Sequence, residues 1–174
     1  MVFFKNKLTL SFLLILCAAF FNAATCKYSF NDVGALSPDV KTFRVNYLEN
    51  KAQYVNTRLS PDLTEKLKQK IISTTRLRQT NSDDAHYDIS GYVSQYNITF
   101  VSITGNNTSG NRLNVGFHLS FKNTLDDSKS FEADLSRSYD VNADASLSQI
   151  DASLSPDIVR DLSDEIFNKI FSNW

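Results

Sequence analysis

The feature that most constrains the fold is an unbroken alternation of apolar and polar residues beyond the middle of the chain. The apolar positions are Leu113, Val115, Phe117, Leu119 and Phe121. The positions between and before them are Arg112, Asn114, Gly116, His118 and Ser120. A period of two residues is typical of a strand with one buried and one solvated face. We therefore predict an antiparallel sheet that is covered on one side only.

The same period predicts three further strands, at residues 40–48, 87–100 and 131–139. In the first, Phe43, Val45 and Tyr47 are expected to face the core. In the second, the apolar residues change parity near Ser94, which predicts a β-bulge. Residues 104–111, with two glycines, are predicted to form a loop.

Two helices are predicted by matching start signals, Ser60-Pro61-Asp62 and Ser155-Pro156-Asp157. In each, the serine is expected to cap the helix, the proline to take the first helical position and the aspartate to favour the positive end of the helix dipole. The first helix is predicted to end near Thr75. The apolar stripe of the second extends back to Leu147, so that helix either starts at Pro156 or begins a few turns earlier with a kink there.

These elements predict an α+β fold in the order strand-helix-strand-strand-strand-helix. We expect a four-stranded, mostly antiparallel sheet with both helices packed on one face, because two amphipathic helices can together cover one apolar sheet face.

The first 25 residues are predicted to be a cleavable signal peptide. Lys5 and Lys7 precede a nearly continuous apolar run at 8–21, which suits a signal but is short of the ~20 residues that span a bilayer. Cys26 follows small residues and would be the one cysteine of the mature chain. It is expected to carry the lipid of a bacterial lipoprotein, with ordinary cleavage after Cys26 as the alternative. Residues 26–39 would then be the lipidated N-terminus and tether, and residues 40–174 a single domain.

Charge is divided unevenly along the chain. Residues 41–78 contain nine Lys or Arg and three Asp or Glu, whereas residues 126–165 contain three and eleven. This asymmetry indicates either an anionic partner for the first half or two surfaces that attract each other within the fold.

No catalytic motif is present in the sequence: it contains no Gly-x-Ser-x-Gly, His-Glu-x-x-His, Cys-x-x-Cys or glycine-rich phosphate loop. His86 and His118 are isolated in sequence, so no metal site is expected. Asp83 and Asp84 are predicted to lie in a turn rather than to form a catalytic dyad. We therefore expect a protein that is not an enzyme, with no cofactor and no nucleic-acid partner.

Several stretches, in their order and spacing, resemble the lipopolysaccharide-assembly lipoprotein family, in the branch found in Bacteroidota. They are Ser60–Leu67, Thr75–Leu77, Asn111–Val115, Asp164–Lys169 and Asn173–Trp174. The resemblance implies a two-helix, four-stranded domain anchored by lipid in the outer membrane of a Gram-negative bacterium. It also implies that the domain sits inside a large β-barrel partner, helps that barrel to fold and assists delivery of lipopolysaccharide to the outer leaflet.

The predicted site residues are Cys26 for lipidation and Arg76, Arg78, Lys66 and Lys70 for lipopolysaccharide phosphates. Arginine can donate two parallel hydrogen bonds to phosphate, although a merely solvated helix face explains the same charges. A second function class is a lipid-anchored periplasmic module that binds a small ligand and has no barrel partner. Such a module needs a pocket of roughly 300–1,000 Å³, for which we expect little room in so small a domain.

Overall fold

The computed structural model describes residues 36–101, 110–142 and 144–172. Its elements are β1 (Thr42–Val45), β2 (Glu49–Asn50), α1 (Leu59–Thr74), β3 (Arg78–Gln79), β4 (Tyr87–Val101), β5 (Gly110–Asn123), a 3-10 helix (Asp127–Lys129), β6 (Phe131–Val141) and α2 (Leu147–Phe171). The predicted α+β class is confirmed. The predicted signal peptide, Cys26, the tether up to residue 35, residues 104–109 of the predicted loop at 104–111 and the terminal Asn173–Trp174 lie outside the described residues. Residues 110 and 111, predicted to end that loop, belong to β5.

All six strands belong to one mixed sheet, in the order β3-β1-β4-β5-β6, with β2 paired to β4. Strands β4, β5 and β6 form an antiparallel meander. The pairs β1–β3, β1–β4 and β2–β4 are parallel. The sequence predicted β1, β4, β5 and β6, but the predicted total of four strands is wrong. Strands β2 and β3 were missed because each has only two residues, which is too short for a period of two to be visible.

The core lies between one face of this sheet and the two helices, which pack against each other. The five apolar residues of β5 are each at most 1% exposed, as predicted. The ring of Phe117 fills the space beside Gly91 on β4, where an added Cβ would lie 2.7 Å from the ring. The helix-facing side of β5 is therefore packed without spare room.

The bulge in β4 is at the predicted place, since the register with β5 shifts between Val93 and Gln95. Tyr96 is buried after this shift, on the new parity. In β1 the prediction for Tyr47 is wrong: the strand ends at Val45, and Tyr47 is 60% exposed. Leu48 is buried instead, and its amide donates to the Thr64 hydroxyl at 3.1 Å.

The helix starts also differ from the sequence prediction. The N-cap position of α1 is Arg58, not Ser60, and Arg58 makes no side-chain capping hydrogen bond. The side-chain oxygen of Asn56, two residues earlier, accepts from the amides of Arg58 at 3.0 Å and Leu59 at 3.3 Å. Ser60 lies inside the first turn, and its hydroxyl is buried with no hydrogen-bond partner among the described residues. Helix α2 begins well before Pro156, at a capping box that Ser146 forms with Gln149. The interpretation with an earlier start is therefore confirmed.

Candidate functional site

The sheet face that points away from the helices carries polar side chains linked across strands. The Asn114 amide nitrogen on β5 donates to the Thr99 hydroxyl on β4 at 3.0 Å. The Ser138 hydroxyl on β6 donates to the Asn114 amide oxygen at 2.8 Å. Arg112 pairs with Asp140 at 2.9 Å. We call the solvent-facing residues of β4, β5 and β6 the open face.

His118, isolated in sequence, lies in the middle of the open face and has neighbours on both adjacent strands. Its Nδ1 lies 2.7 Å from Asp134 of β6, its Nε2 lies 3.9 Å from Glu132, and its ring lies 5.1 Å from the ring of Tyr92. The Nζ atom of Lys51 lies 4.4 Å from the centre of the Tyr92 ring. Among the described residues, no group of three or more potential ligands could hold a metal ion.

Beyond the β4 edge of the open face, Arg44 of β1 forms hydrogen bonds with Asp88 of β4. Its Nε and Nη2 atoms donate to the two carboxylate oxygens of Asp88 at 3.1 and 2.8 Å, and its Nη1 donates to Asp83. Asn46 also donates to Asp88, at 2.7 Å. The hydrogen bonds from Arg44, which have the largest effect, and from Asn46 hold the pKa of Asp88 below its ordinary value. Burial acts in the opposite direction. The cluster stabilises the parallel pairing of short strand β1.

The four basic residues predicted to meet phosphate have different surroundings. Lys70 is already paired, because its Nζ lies 2.8 Å from Asp164 of α2 and 5.2 Å from the centre of the Phe167 ring. Arg76 donates to the carbonyl of Leu36 at 2.9 Å, where the chain approaches β1. Lys66 and Arg78 are exposed and have no ion pair among the described residues. Arg76 and Arg78 therefore lie near the first described residues and β1, since Arg76 contacts Leu36 and Arg78 is paired with Thr42. Lys70 instead contacts α2.

The acidic half of the chain is partly neutralised within the fold. Toward the C-terminal end of α2, Lys70 bonds Asp164, and Arg137 of β6 bonds Glu165 at 2.6 Å. Arg160 bridges Asp157 and Asp161 at 2.7 and 3.0 Å. The Lys70–Asp164 pair is a direct contact between the basic and acidic segments, so internal attraction accounts for part of the charge asymmetry.

A half-buried carboxylate, which the sequence did not reveal, joins α2, β4 and the segment before α1; we call it the carboxylate clamp. Asp151 of α2 accepts hydrogen bonds from the hydroxyls of Tyr54 at 2.8 Å and Tyr96 at 2.5 Å. The two tyrosine rings stack with centroids 5.6 Å apart. Burial, together with the hydrogen bond to Asp151, raises the pKa of Tyr96. The partners are 97 and 55 residues apart in sequence, so no local motif signals the clamp.

Surface clefts are larger than we expected for a domain of this size. One of about 500 Å³ lies beside the clamp, and others of about 550 and 470 Å³ flank the two ends of β6. The expectation of little room for a ligand is therefore wrong: the core is filled, but the margins between α2 and its neighbours are not. No helix among the described residues is both long and apolar enough to cross a membrane.

Comparisons with known proteins bear on the family and the fold. A family model described as LptE, lipopolysaccharide-assembly, matches residues 40–170. A search of the curated proteins found no match.

Solved structures with this fold have little sequence identity to the chain. A minor lipoprotein of Acinetobacter baumannii is 17% identical with a TM-score of 0.52, and the match covers 77% of this chain and 94% of that one. An uncharacterized lipoprotein B of Nitrosomonas europaea is 11% identical with a TM-score of 0.51, and the match covers 76% and 83%. A hypothetical protein of Chlamydia trachomatis is 7% identical with a TM-score of 0.50, and the match covers 76% and 99%. These likenesses show a shared fold.

Proposed function

The chain belongs to the LptE family of lipopolysaccharide-assembly proteins, as its sequence resemblance predicted, and on that premise we propose that it is the internal partner of an outer-membrane β-barrel. In this role it assists folding of the barrel and transport of lipopolysaccharide into the outer membrane. The role depends on contact and needs no catalytic group.

The observation that carries this proposal is the open face. One side of β4, β5 and β6 is covered by helices, and the other presents hydrogen-bonded polar rows such as Thr99–Asn114–Ser138. The lumen of a large membrane barrel is polar and water-filled. A protein inside it needs a hydrophilic outer surface, so the open face suits the lumen wall. A barrel also encloses its plug on several sides, so the interface should exceed the standard ~1,600 Å².

The membrane attachment in this proposal is a lipid on Cys26, with residues 26–39 as the tether. Two or more acyl chains, at about 0.8 kcal/mol per buried methylene, would hold the protein stably on the membrane. The chain then joins the domain at Leu36, beside the guanidinium of Arg76.

The proposed contacts with lipopolysaccharide phosphates are Arg76, Arg78 and Lys66, with a smaller part for Lys70. Arg78 and Lys66 support the proposal because they are exposed and have no ion pair among the described residues. Lys70 contributes less, because its ammonium already pairs with Asp164. The alternative is that these basic residues are simply solvated and bind nothing, since exposed charges usually contribute little. Lipopolysaccharide binding that does not change when they are replaced would favour this alternative.

Depletion of the protein in its native host tests the functional proposal. We expect less correctly folded barrel and an outer membrane that leaks detergents and large antibiotics, while the activities of periplasmic enzymes stay unchanged. A lipid-anchored binding module without a barrel partner would leave the barrel and the permeability barrier intact, and that outcome would contradict the proposal.

A further inference from the structure

Strand β6 ends the sheet, and no other strand of the described residues pairs with its outer edge. Its 11 residues pair with β5 on the inner side in one register without a shift. A long unpaired edge is a template for another chain, and natural proteins usually block it with a proline, a lysine or a bulge. Strand β6 contains none of these three. Its outer edge is therefore open to an added strand.

The backbone groups that point outward from this edge follow from the hydrogen bonds around β5. Just beyond β5, the amide of Thr124 donates to the carbonyl of His86 at 2.9 Å, so the even-numbered residues of β5 are directed to β4. The amide of Asn123 points the other way and donates to the Ser130 hydroxyl at 3.0 Å. Odd-numbered residues of β5 therefore bond the odd-numbered residues of β6 that lie opposite them. The even-numbered residues of β6 direct their N–H and C=O groups outward, and they are Glu132, Asp134, Ser136, Ser138 and Asp140.

The side chains of these outward-bonding residues form an acidic row. Glu132 and Asp134 lie beside His118 of β5, and Asp140 is paired with Arg112 of β5. These contacts are on the inner side of the row, and the three acidic side chains remain 70%, 84% and 82% exposed. The row carries three carboxylates and no cation. A basic segment is therefore the complementary partner for this edge.

The chain itself offers no suitable strand for the edge. If two copies paired antiparallel along all 11 residues of β6, Glu132 would lie opposite Asp140, and like charges in that position are destabilising. The segment before the domain reaches it at Leu36, which contacts Arg76 next to β3, at the opposite end of the sheet. The complementary segment must therefore come from another protein.

The helix side of the edge defines the other residues that such a segment needs. A cleft of about 470 Å³ at one end of β6 is lined in part by Phe131 and Ile170. A cleft of about 550 Å³ at the other end is lined in part by Val141 and Leu154. Between these ends, Arg137 lies on the helix side and bonds Glu165 at 2.6 Å. Because alternate side chains of a strand point to opposite faces, the segment can place an apolar side chain in each cleft and needs a small residue beside Arg137.

We propose that β6 binds an extended basic segment of the barrel partner, which joins the sheet through main-chain hydrogen bonds. Its Lys or Arg side chains lie against Glu132, Asp134 and Asp140, and its apolar side chains enter the two clefts. The inference rests on the proposed function only in naming the barrel as the source of the segment. It assigns a role to the edge of the sheet, which is separate from the open face.

The first test removes one outward N–H from β6 in the full-length lipoprotein, expressed in its own membrane and purified with the barrel. Ser136→Pro loses that donor, and proline is tolerated on an edge strand where the N–H faces solvent. We expect about a tenfold loss of co-purified barrel, because one main-chain hydrogen bond is lost. Ser136→Ala keeps the N–H and is the matched control. An unchanged yield for Ser136→Pro, with the melting temperature preserved, would overturn the inference and leave the barrel partnership standing.

The second test leaves the backbone unchanged and reverses the charge of the row. The double variant Glu132→Lys/Asp140→Lys should lower the barrel yield about tenfold, because like charges across an interface are strongly disfavoured. Glu65→Lys/Asp84→Lys is the matched control, with the same change of charge at exposed residues of α1 and of the β3–β4 turn. Equal yields for the two double variants would contradict the inference.

A third measurement applies if the wild-type protein carries no barrel, so that failure of the functional proposal is distinguished from failure of this inference. A synthetic peptide of alternating Lys and Val is titrated into the full-length lipoprotein in detergent, and amide hydrogen exchange along β6 is followed. We expect slower exchange at the even-numbered residues 132–140, which Ser136→Pro abolishes and which a peptide of alternating Glu and Val does not produce. No protection, or equal protection by both peptides, would refute an edge that selects a basic strand.

Discussion

The two faces of β5 have the same backbone and opposite surroundings. On the helix side, Phe117 is fully buried and its ring lies against Gly91, so a larger residue at position 91 has no room. On the open face, one residue away, the side chain of His118 is 25% exposed and contacts Asp134 and Tyr92. The buried core is thus confined to one face of β5, and the proposed contact surface lies on the other.

The sharpest test of this contrast compares neighbours on β5. Phe117→Ala should lower the free energy of unfolding by about 3–5 kcal/mol, because it removes a fully buried ring and leaves a cavity. His118→Ala should cost less, about 0.5–1.5 kcal/mol, because it removes one hydrogen bond to Asp134 and leaves no cavity in the core. Chemical denaturation of both variants measures the difference. Equal losses would mean that the open face supports the fold as much as the covered one does.

A second test adds volume to the covered face instead of removing it. Gly91→Ala places a methyl group against the ring of Phe117 and against the backbone oxygen of His118, which cannot move without shifting β5. We expect a loss of about 1–3 kcal/mol, typical of overpacking. Gly110→Ala is the control, since nothing lies within 4 Å of an added Cβ there. Similar melting temperatures for the two variants would contradict the described packing of β4 on β5.

The Arg44–Asp88 pair predicts a smaller, pH-dependent effect at the margin of the open face. The pKa of Asp88 is lowered from its ordinary value of 3.8, chiefly by Arg44. Its contribution to stability is therefore fully present above pH 3.8 and is lost as the pH falls through the lower folded-state pKa. Asp88→Asn should lower the melting temperature by a few degrees at pH 7 and leave it unchanged at the acid end. A constant difference from wild type at all pH values would show that the charge of Asp88 is not what stabilises β1.

Reversal of the charge at Arg76 and Arg78 should have the smallest effect on the stability of the fold. Arg78→Glu, alone and with Arg76→Glu, should weaken binding of purified lipopolysaccharide several-fold and reduce its dependence on salt. The melting temperature should hardly change. Lys122→Glu serves as the control, because Lys122 is exposed on β5, away from these arginines. Affinity that neither variant changes would assign Arg76 and Arg78 to the solvated surface.

The sequence predicted the elements whose signals repeat over many residues. The alternation from Leu113 to Phe121 placed β5 and its buried face, and the change of parity near Ser94 placed the bulge. These predictions succeed because burial of one strand face imposes a period of two on residues that are close in sequence.

Features decided by distant or single residues could not be predicted in the same way. Serine is a common helix cap, but Ser60 lies inside the first turn of α1, and Asn56 accepts from the amides of Arg58 and Leu59 instead. The carboxylate clamp at Asp151 and the Lys70–Asp164 pair join residues far apart in sequence, and two-residue strands such as β3 are defined by their neighbours. The alternation predicted that the open face is polar. The hydrogen-bonded row Thr99–Asn114–Ser138 could not be predicted, because it depends on which residues of β4, β5 and β6 lie opposite one another.

We propose above that the protein resides in a barrel with its open face against the lumen wall. Gentle detergent extraction of native membranes, followed by size analysis of the tagged full-length protein, shows whether the two are associated. We expect one stable complex that contains a large β-barrel protein. Recovery of the protein only as a free species of its own mass, with no barrel protein, would contradict it.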